Sequence, residues 1–157
     1  MNGKYVGMVS LVGFFIVALT ACGTSPDTSQ LEGEQITVYY SPSCTCCGRY
    51  IEHLRDNGMK VKTVQTRTRE FVRAEHGIPQ RAASCHTSVI GDYAVEGHVP
   101  LESISRLTTN KPDINGISIP GMPKHAPGMR GPNGSNLKVI KISKQGQIDG
   151  VYQELTY

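Results

Sequence analysis

Three cysteines stand within four consecutive positions of the chain, at Cys44, Cys46 and Cys47. Thiolates this close together suit soft metal ions or thiol–disulfide exchange better than they suit a hydrophobic core. A fourth cysteine, Cys85, follows much later and directly precedes His86. These residues predict either the binding of a soft metal such as copper or reversible disulfide formation.

A segment rich in glycine and proline adds two thioethers and an imidazole, from Met122, Met129 and His125. The prolines and glycines exclude a helix, so a shared helical face does not explain the spacing of the methionines. Thioethers bind Cu(I) without losing a proton. We expect copper roles for Met122 and Met129, with His125 as a further candidate ligand. The alternative is that the methionines fill gaps over the core.

The elements around these residues predict an α/β domain with the order βαβαββα. The predicted elements are strands at 36–40 and 59–65, helices at 46–57 and 68–76, a hairpin at 87–90 and 93–97, and a helix at 100–108. This is the order of the thioredoxin and glutaredoxin fold, which places its Cys-x-x-Cys at the start of the first helix. Free N–H groups and the helix dipole stabilise thiolates there. A long loop over 111–136 and a C-terminal β-hairpin, 137–143 and 148–155, extend this unit.

The fold analogy also indicates where Cys85 lies. In glutaredoxin-like chains the segment before the third strand packs against the Cys-x-x-Cys, so Cys85 should face Cys44 and Cys47. His86 is then either a metal ligand or a residue that orients Cys85. For His98, at a predicted strand-to-helix turn, we expect a structural hydrogen-bonding role. The two histidines within predicted helices are expected to face solvent.

The first 21 residues have the pattern of a targeting segment. Lys4 precedes an apolar run at 9–18, which is shorter than the roughly 20 residues needed to cross a bilayer. Residues 19–22 resemble a bacterial lipobox, which implies cleavage before Cys22 and acylation of that cysteine. Residues 22–34 are small and polar and predict a flexible tether, and 35–157 are predicted to form a single domain. The expected location is periplasmic and lipid-anchored. The outer membrane is preferred because the residue after Cys22 is Gly23 and not the aspartate that is associated with retention at the inner membrane.

The charge of the chain is nearly balanced, at +3 for the full sequence, and its basic residues are scattered. This pattern gives no nucleic-acid-binding footprint. Outside the cytoplasm, free cysteines oxidise unless a metal, a reductant or a catalytic role keeps them as thiolates. The retention of four cysteines after Cys22 therefore favours a chemical role for them.

Several ordered motifs carry a further indication, at 41–48, 83–87, 96–100, 119–123 and 127–129. Together they resemble a family catalogued as a domain of unknown function, whose members include the CopG-type periplasmic copper-resistance proteins. The resemblance implies a thioredoxin-like fold and a part in copper resistance. It further implies that four cysteines hold a thiolate-bridged copper cluster; these are Cys44, Cys46, Cys47 and Cys85. The lipobox and the residues around His125 depart from the family pattern.

Three functions therefore remain open. The leading hypothesis is a lipid-anchored protein that holds more than one Cu(I) ion and sequesters copper, changes its oxidation state or passes it to an exporter, oxidase or chaperone. The second is a thiol–disulfide oxidoreductase with Cys44 as the nucleophile and Cys47 as the resolving cysteine. The third is a structural zinc site, although the contiguous Cys46 and Cys47 fit zinc-knuckle spacing poorly.

Overall fold

The computed structural model describes residues 27–132 and 134–156, which form one seven-stranded sheet with three α-helices. The elements are β1 (Gln35–Tyr40), α1 (Thr45–Asp56), β2 (Lys60–Gln65), α2 (Arg69–Glu75), β3 (His86–Ile90), β4 (Tyr93–Glu96), α3 (Leu101–Asn110), β5 (Ile114–Ser118), β6 (Asn136–Ser143) and β7 (Ile148–Thr156). The predicted α/β class, the βαβαββα order and the C-terminal hairpin are confirmed. The assignment to the thioredoxin fold stays a prediction.

The strand order β2-β1-β3-β4-β5-β6-β7 makes β1 and β3 neighbours, so two distant parts of the sequence meet where β1 ends and β3 begins. β1 runs parallel to β2 and antiparallel to β3, and Tyr40 at the end of β1 lies opposite His86 at the start of β3. The turn after β1 leads into Cys44, and Cys85 directly precedes β3. The pairing of β1 with β3 therefore places Cys85 beside the start of α1.

The core lies between the sheet and the helices that cover it. The apolar side chains on one face of α1 and on one face of α3 are buried; they are Tyr50, Ile51, Leu54, Leu101, Ile104 and Leu107. Tyr50 and Ile51 precede Leu54 by four and three residues, and the α3 set repeats every three residues, so each set lies on one helix face. Each fully buried side chain of this size stabilises the fold by about 1.5–3 kcal/mol. This packing fixes the start of α1 against the sheet.

The prediction of a loop over 111–136 is wrong for its first part, because Ile114–Ser118 form β5. This strand pairs in parallel with β4 and antiparallel with β6, and so joins the terminal hairpin to the sheet. Its middle residue must be glycine, since a Cβ at Gly116 would lie 2.0 Å from the carbonyl oxygen of Ala94. A strand of only five residues with a central glycine shows little alternation of apolar and polar residues, so its sequence did not indicate a strand.

The prediction of a flexible tether over 22–34 is wrong from Asp27 onwards. Thr28–Leu31 form a 3₁₀-helix, Leu31 is fully buried, and the Ser105 hydroxyl donates a hydrogen bond to the Asp27 carbonyl at 2.7 Å. Leu31 is the one large apolar side chain of that stretch, and its burial holds the segment on α3.

The predicted targeting segment, 1–21, and the predicted acylation site Cys22 lie outside the described residues. Within 27–132 and 134–156, no helix combines the length and the apolar character that a membrane crossing requires.

Candidate metal centre

The first turn of α1 positions three of the four cysteines. Cys44 is the N-cap residue, and its Sγ accepts a hydrogen bond from the backbone N–H of Cys47 at 3.3 Å. No acidic residue occupies the first turn, so the positive end of the helix dipole is left to act on the sulfurs. Cys47 is fully buried, whereas Cys44 and Cys46 are half-buried. The more accessible sulfurs are therefore those of Cys44 and Cys46.

All four cysteines of the described chain meet at this helix end. Their Sγ atoms lie within 4.8 Å of one another, and those of Cys44 and Cys46 are 3.4 Å apart. Cys44 and Cys47 form a disulfide, while Cys46 and Cys85 are free thiols. A metal–thiolate bond is about 2.3 Å long, so two sulfurs on one ion are at most about 4.6 Å apart. After reduction of the disulfide, four thiolates are close enough to share metal ions.

Cys85 is held in place by its neighbour Ser84. The Ser84 backbone N–H donates to a carboxylate oxygen of Glu96 at 2.6 Å, and its hydroxyl donates to the Gly121 carbonyl. Burial, together with the nearby Cys46, raises the pKa of the Cys85 thiol to about 12. Cys85 is therefore a neutral thiol at pH 7, and a bound metal ion would replace its proton.

Glu96 positions Ser84 and was not predicted as a functional residue from the sequence. Its fully buried carboxylate accepts hydrogen bonds from Ser84 and, at 2.5 Å, from the hydroxyl of Thr87. The guanidinium of Arg73 lies 3.7 Å away. Burial raises the pKa of Glu96, and the hydrogen bonds from Thr87 and Ser84 oppose that rise. The sequence carried one signal for Glu96, which is an acidic residue at the end of an otherwise apolar strand. Because buried carboxylates are rare without partners, such a position indicates a carboxylate with a specific role.

Two buried histidines lie directly behind Cys85. His86 Nδ1 is 3.3 Å from Cys85 Sγ, and His98 Nδ1 is 2.6 Å from the carbonyl oxygen of Pro127, which is the kind of hydrogen bond expected for His98. Both rings pack against Tyr50, at centroid distances of 4.8 and 4.9 Å. Burial lowers the pKa of His86 to about 3 and also lowers the pKa of His98. Both imidazoles are therefore neutral at pH 7.

Both histidines of the predicted helices, His53 and His76, are half-buried and so less exposed than predicted. His53 was expected to face solvent, yet it is half-buried and its ring lies 6.3 Å from that of Tyr50. The two residues are three positions apart in α1 and so share one helix face. Burial lowers the pKa of His53.

The loop residues occupy different positions relative to the cysteines. Met122 is 60% exposed and lines a groove of about 470 Å³ together with Cys44 and Cys85. Met129 packs against the hydrophobic core, and His125 is half-buried, and neither is among the residues that line the groove. Of the three predicted loop ligands, the structure brings Met122 to the cysteines.

Comparisons with known proteins agree on one group. Residues 82–129 match the family described as a protein of unknown function, DUF411. A solved structure of copper resistance protein CopG, form 2, is 36% identical with a TM-score of 0.72, and the match covers 79% of this chain and 99% of that one. Form 1 is 35% identical with a TM-score of 0.72, over 80% of this chain and 100% of that one. Among curated proteins there is no match.

Proposed function

Because the chain belongs to the family of the copper resistance protein CopG, we propose that it binds copper through the cysteine cluster of Cys44, Cys46, Cys47 and Cys85. The bound form is Cu(I), with more than one ion held by bridging thiolates. The observation that carries this proposal is the convergence of four sulfur atoms within 4.8 Å at one helix end. The protein contributes to copper resistance by sequestering copper, by changing its oxidation state or by passing it to an exporter, oxidase or chaperone.

The number of sulfurs and their spacing support several ions rather than one. Cu(I) is a soft ion that prefers thiolate ligands, and each thiolate has lone pairs for two ions. Cys46 and Cys47 are adjacent in the first turn of α1, so their sulfurs can bridge neighbouring ions. Loading first requires two electrons and two protons to convert the Cys44–Cys47 disulfide to thiols. Each thiol that binds Cu(I) then releases one proton, whether its sulfur binds one ion or bridges two.

Counting copper against protein tests this proposal. The protein is reduced, freed of reductant without oxygen, loaded with Cu(I) and separated from unbound metal. We expect more than one copper per chain in the reduced protein and a lower number in the disulfide form. Reduced protein with its thiols alkylated is the matched control. Equal copper in the reduced and alkylated proteins would rule out the cysteine cluster as the copper site.

The location also remains a proposal. We propose a lipid anchor on Cys22 and a periplasmic position at the outer membrane, supported by the lipobox-like sequence at 19–22. An oxidising compartment is consistent with the disulfide between Cys44 and Cys47.

A second candidate function is thiol–disulfide exchange, which the Cys44–Cys47 disulfide favours. The half-buried Cys44 would attack a substrate disulfide as the thiolate, forming a mixed disulfide and releasing one substrate thiol. The buried Cys47 would then attack Cys44 Sγ and release the second thiol, so that two electrons pass to the substrate. Insulin reduction separates this function from copper storage, since it requires Cys44 and Cys47 but neither Cys46 nor Cys85.

The two loop methionines should differ in their effect on copper binding. Replacing the exposed Met122 with leucine removes a thioether from the groove beside Cys44 and Cys85 and should weaken Cu(I) affinity several-fold. The matched change Met129→Leu alters a side chain packed against the core and should leave the affinity unchanged. Competition with a chromogenic Cu(I) chelator measures both. An equal loss in the two variants would contradict a ligand role specific to Met122.

A further inference from the structure

We propose a second metal site behind the cysteine cluster, formed by Cys85 Sγ, a ring nitrogen of His86 and His98 Nε2. We call these three residues the imidazole site. It would hold one copper ion, as Cu(II) or Cu(I), and it shares the sulfur of Cys85 with the cluster. The choice of copper as the occupant rests on the proposed function, whereas the donor atoms come from the structure alone.

Each of the three residues brings one donor atom close enough to bind a single ion. One ligand atom from each residue lies within 4.8 Å of the other two, and Cys85 Sγ is 3.3 Å from His86 Nδ1. With metal–sulfur and metal–nitrogen bonds of about 2.3 and 2.0 Å, two ligands of one ion are roughly 3.5 Å apart. The Cys85–His86 pair already has this spacing. The other two distances would have to shorten by up to about 1.3 Å, from at most 4.8 Å to roughly 3.5 Å, to complete the set.

The histidines carry nitrogen atoms that have no partner. His86 is fully buried and His98 is 2% exposed, and the Nε2 atom of each lacks a hydrogen-bond partner in the described part of the chain. Leaving such a buried atom unsatisfied costs about 1–3 kcal/mol, so an arrangement with two of them needs a reason. Metal ligation through Nε2 supplies one for His98, because an sp² nitrogen with a free lone pair is a good copper ligand. His86 can offer either Nε2 or the Nδ1 atom beside Cys85.

The hydrogen bond of His98 sets which nitrogen is free. The Pro127 carbonyl oxygen can only accept, so at 2.6 Å the Nδ1 atom of His98 must carry the proton. Nε2 then keeps its lone pair and is the ligand atom. A backbone carbonyl that fixes the tautomer of a histidine in this way is the usual outer support of a metal-bound imidazole. Pro127 belongs to the same loop as Met122, so this loop orients one site and borders the other.

The donor atoms of the imidazole site suit both oxidation states of copper, whereas those of the cysteine cluster suit Cu(I). One thiolate with two imidazoles is the set found in copper sites that are stable in both oxidation states. The site needs only Cys85, which is a free thiol when Cys44 and Cys47 are disulfide-bonded. It can therefore bind copper in the oxidised protein, in which the four-thiolate cluster cannot form. Binding replaces the thiol proton of Cys85, and the resulting thiolate offsets part of the charge of the ion.

A variant with only one cysteine in the described chain isolates this site. The parent protein carries Cys44→Ser, Cys46→Ser and Cys47→Ser, and it is titrated with Co²⁺, whose thiolate charge-transfer and ligand-field bands report a bound sulfur. We expect both bands in the parent. Adding His98→Gln should weaken Co²⁺ affinity by at least about tenfold, since losing even an outer-shell partner costs that much. The matched change His53→Gln, in another histidine beside Tyr50, should leave affinity and bands unchanged.

Each outcome bears on the imidazole site separately from the cysteine cluster. Absence of a thiolate–Co²⁺ band in a folded parent, or equal effects of His98→Gln and His53→Gln, would overturn the imidazole site, while Cu(I) uptake by reduced wild-type protein would still support the cluster. A band that depends on His98 supports the site even if reduced wild-type protein takes up no Cu(I). If circular dichroism shows that the parent is unfolded, the same histidine variants are compared in the disulfide form of the wild-type background. There, one Cu²⁺ per chain, lost with His98→Gln, is the expected result.

Discussion

Replacing Cys46 with serine should remove at least one Cu(I) ion per chain from the reduced protein and leave the Cys44–Cys47 pair able to form its disulfide. Cys46 Sγ lies 3.4 Å from Cys44 Sγ, and it is close enough to the sulfurs of Cys47 and Cys85 to share ions with them. A serine hydroxyl is a hard, protonated ligand and does not replace a thiolate on Cu(I). The remaining copper should be bound at least about tenfold more weakly, because the lost sulfur bridges ions.

The same substitution separates copper storage from disulfide exchange. An oxidoreductase needs Cys44 and Cys47, and Cys46 takes no part in that step. Cys46→Ser should therefore lower copper per chain while insulin reduction, if the protein has this activity, is unchanged. Thr45→Ala, at the exposed neighbouring position, is the control for damage to the start of α1. Unchanged copper in Cys46→Ser, or an equal loss of copper in Thr45→Ala, would contradict the bridging role.

The redox state of the protein should set its copper capacity. Cys44 and Cys47 cannot be disulfide-bonded and ligate Cu(I) at the same time, so oxidation removes two of the four thiolates from the cluster. Cys85 is outside the disulfide and belongs both to the cluster and to the imidazole site. A shared sulfur means that a change at one site alters the electron density of the other. The cysteine cluster and the imidazole site thus form one connected centre with two kinds of donor.

The sequence was sufficient to predict the parts of the molecule that depend on local pattern. The helix after β1 followed from the spacing of Tyr50, Ile51 and Leu54, and the crowding of cysteines at its first turn needed no tertiary information. The approach of Cys85 to Cys44 could be inferred only through an analogy of fold. It depends on the pairing of β1 with β3, which no local pattern specifies.

Features that depend on distant contacts escaped prediction. β5 is short and has Gly116 at its centre, and it is a strand because β4 and β6 flank it. His98 stands twelve positions after His86, and a turn in the chain and the ring of Tyr50 bring the two together. Glu96 is buried because three donors from separate elements converge on it. Each case is decided by packing across the sheet, which the sequence pattern alone does not encode.

Glu96→Ala should be the most destabilising single change near the site, with a loss of about 3–5 kcal/mol in the free energy of unfolding. It leaves the almost fully buried Arg73 without its buried partner, since the other carboxylate of Arg73, Glu70, is exposed. It also leaves the Ser84 N–H and the Thr87 hydroxyl without an acceptor. Urea unfolding followed by circular dichroism measures the loss.

A surface ion pair provides the comparison that isolates the effect of burial. Glu154 contacts Lys138 at 3.1 Å, closer than Glu96 contacts Arg73, yet both side chains are more than half exposed. Glu154→Ala should therefore cost at most about 1 kcal/mol. Similar losses in the two variants would show that the Glu96 carboxylate does not hold this part of the fold. Ser84, which Glu96 holds, directly precedes Cys85. If Glu96→Ala loses much more unfolding free energy than Glu154→Ala and also binds Cu(I) more weakly, the Glu96 carboxylate supports the copper site without contacting the metal.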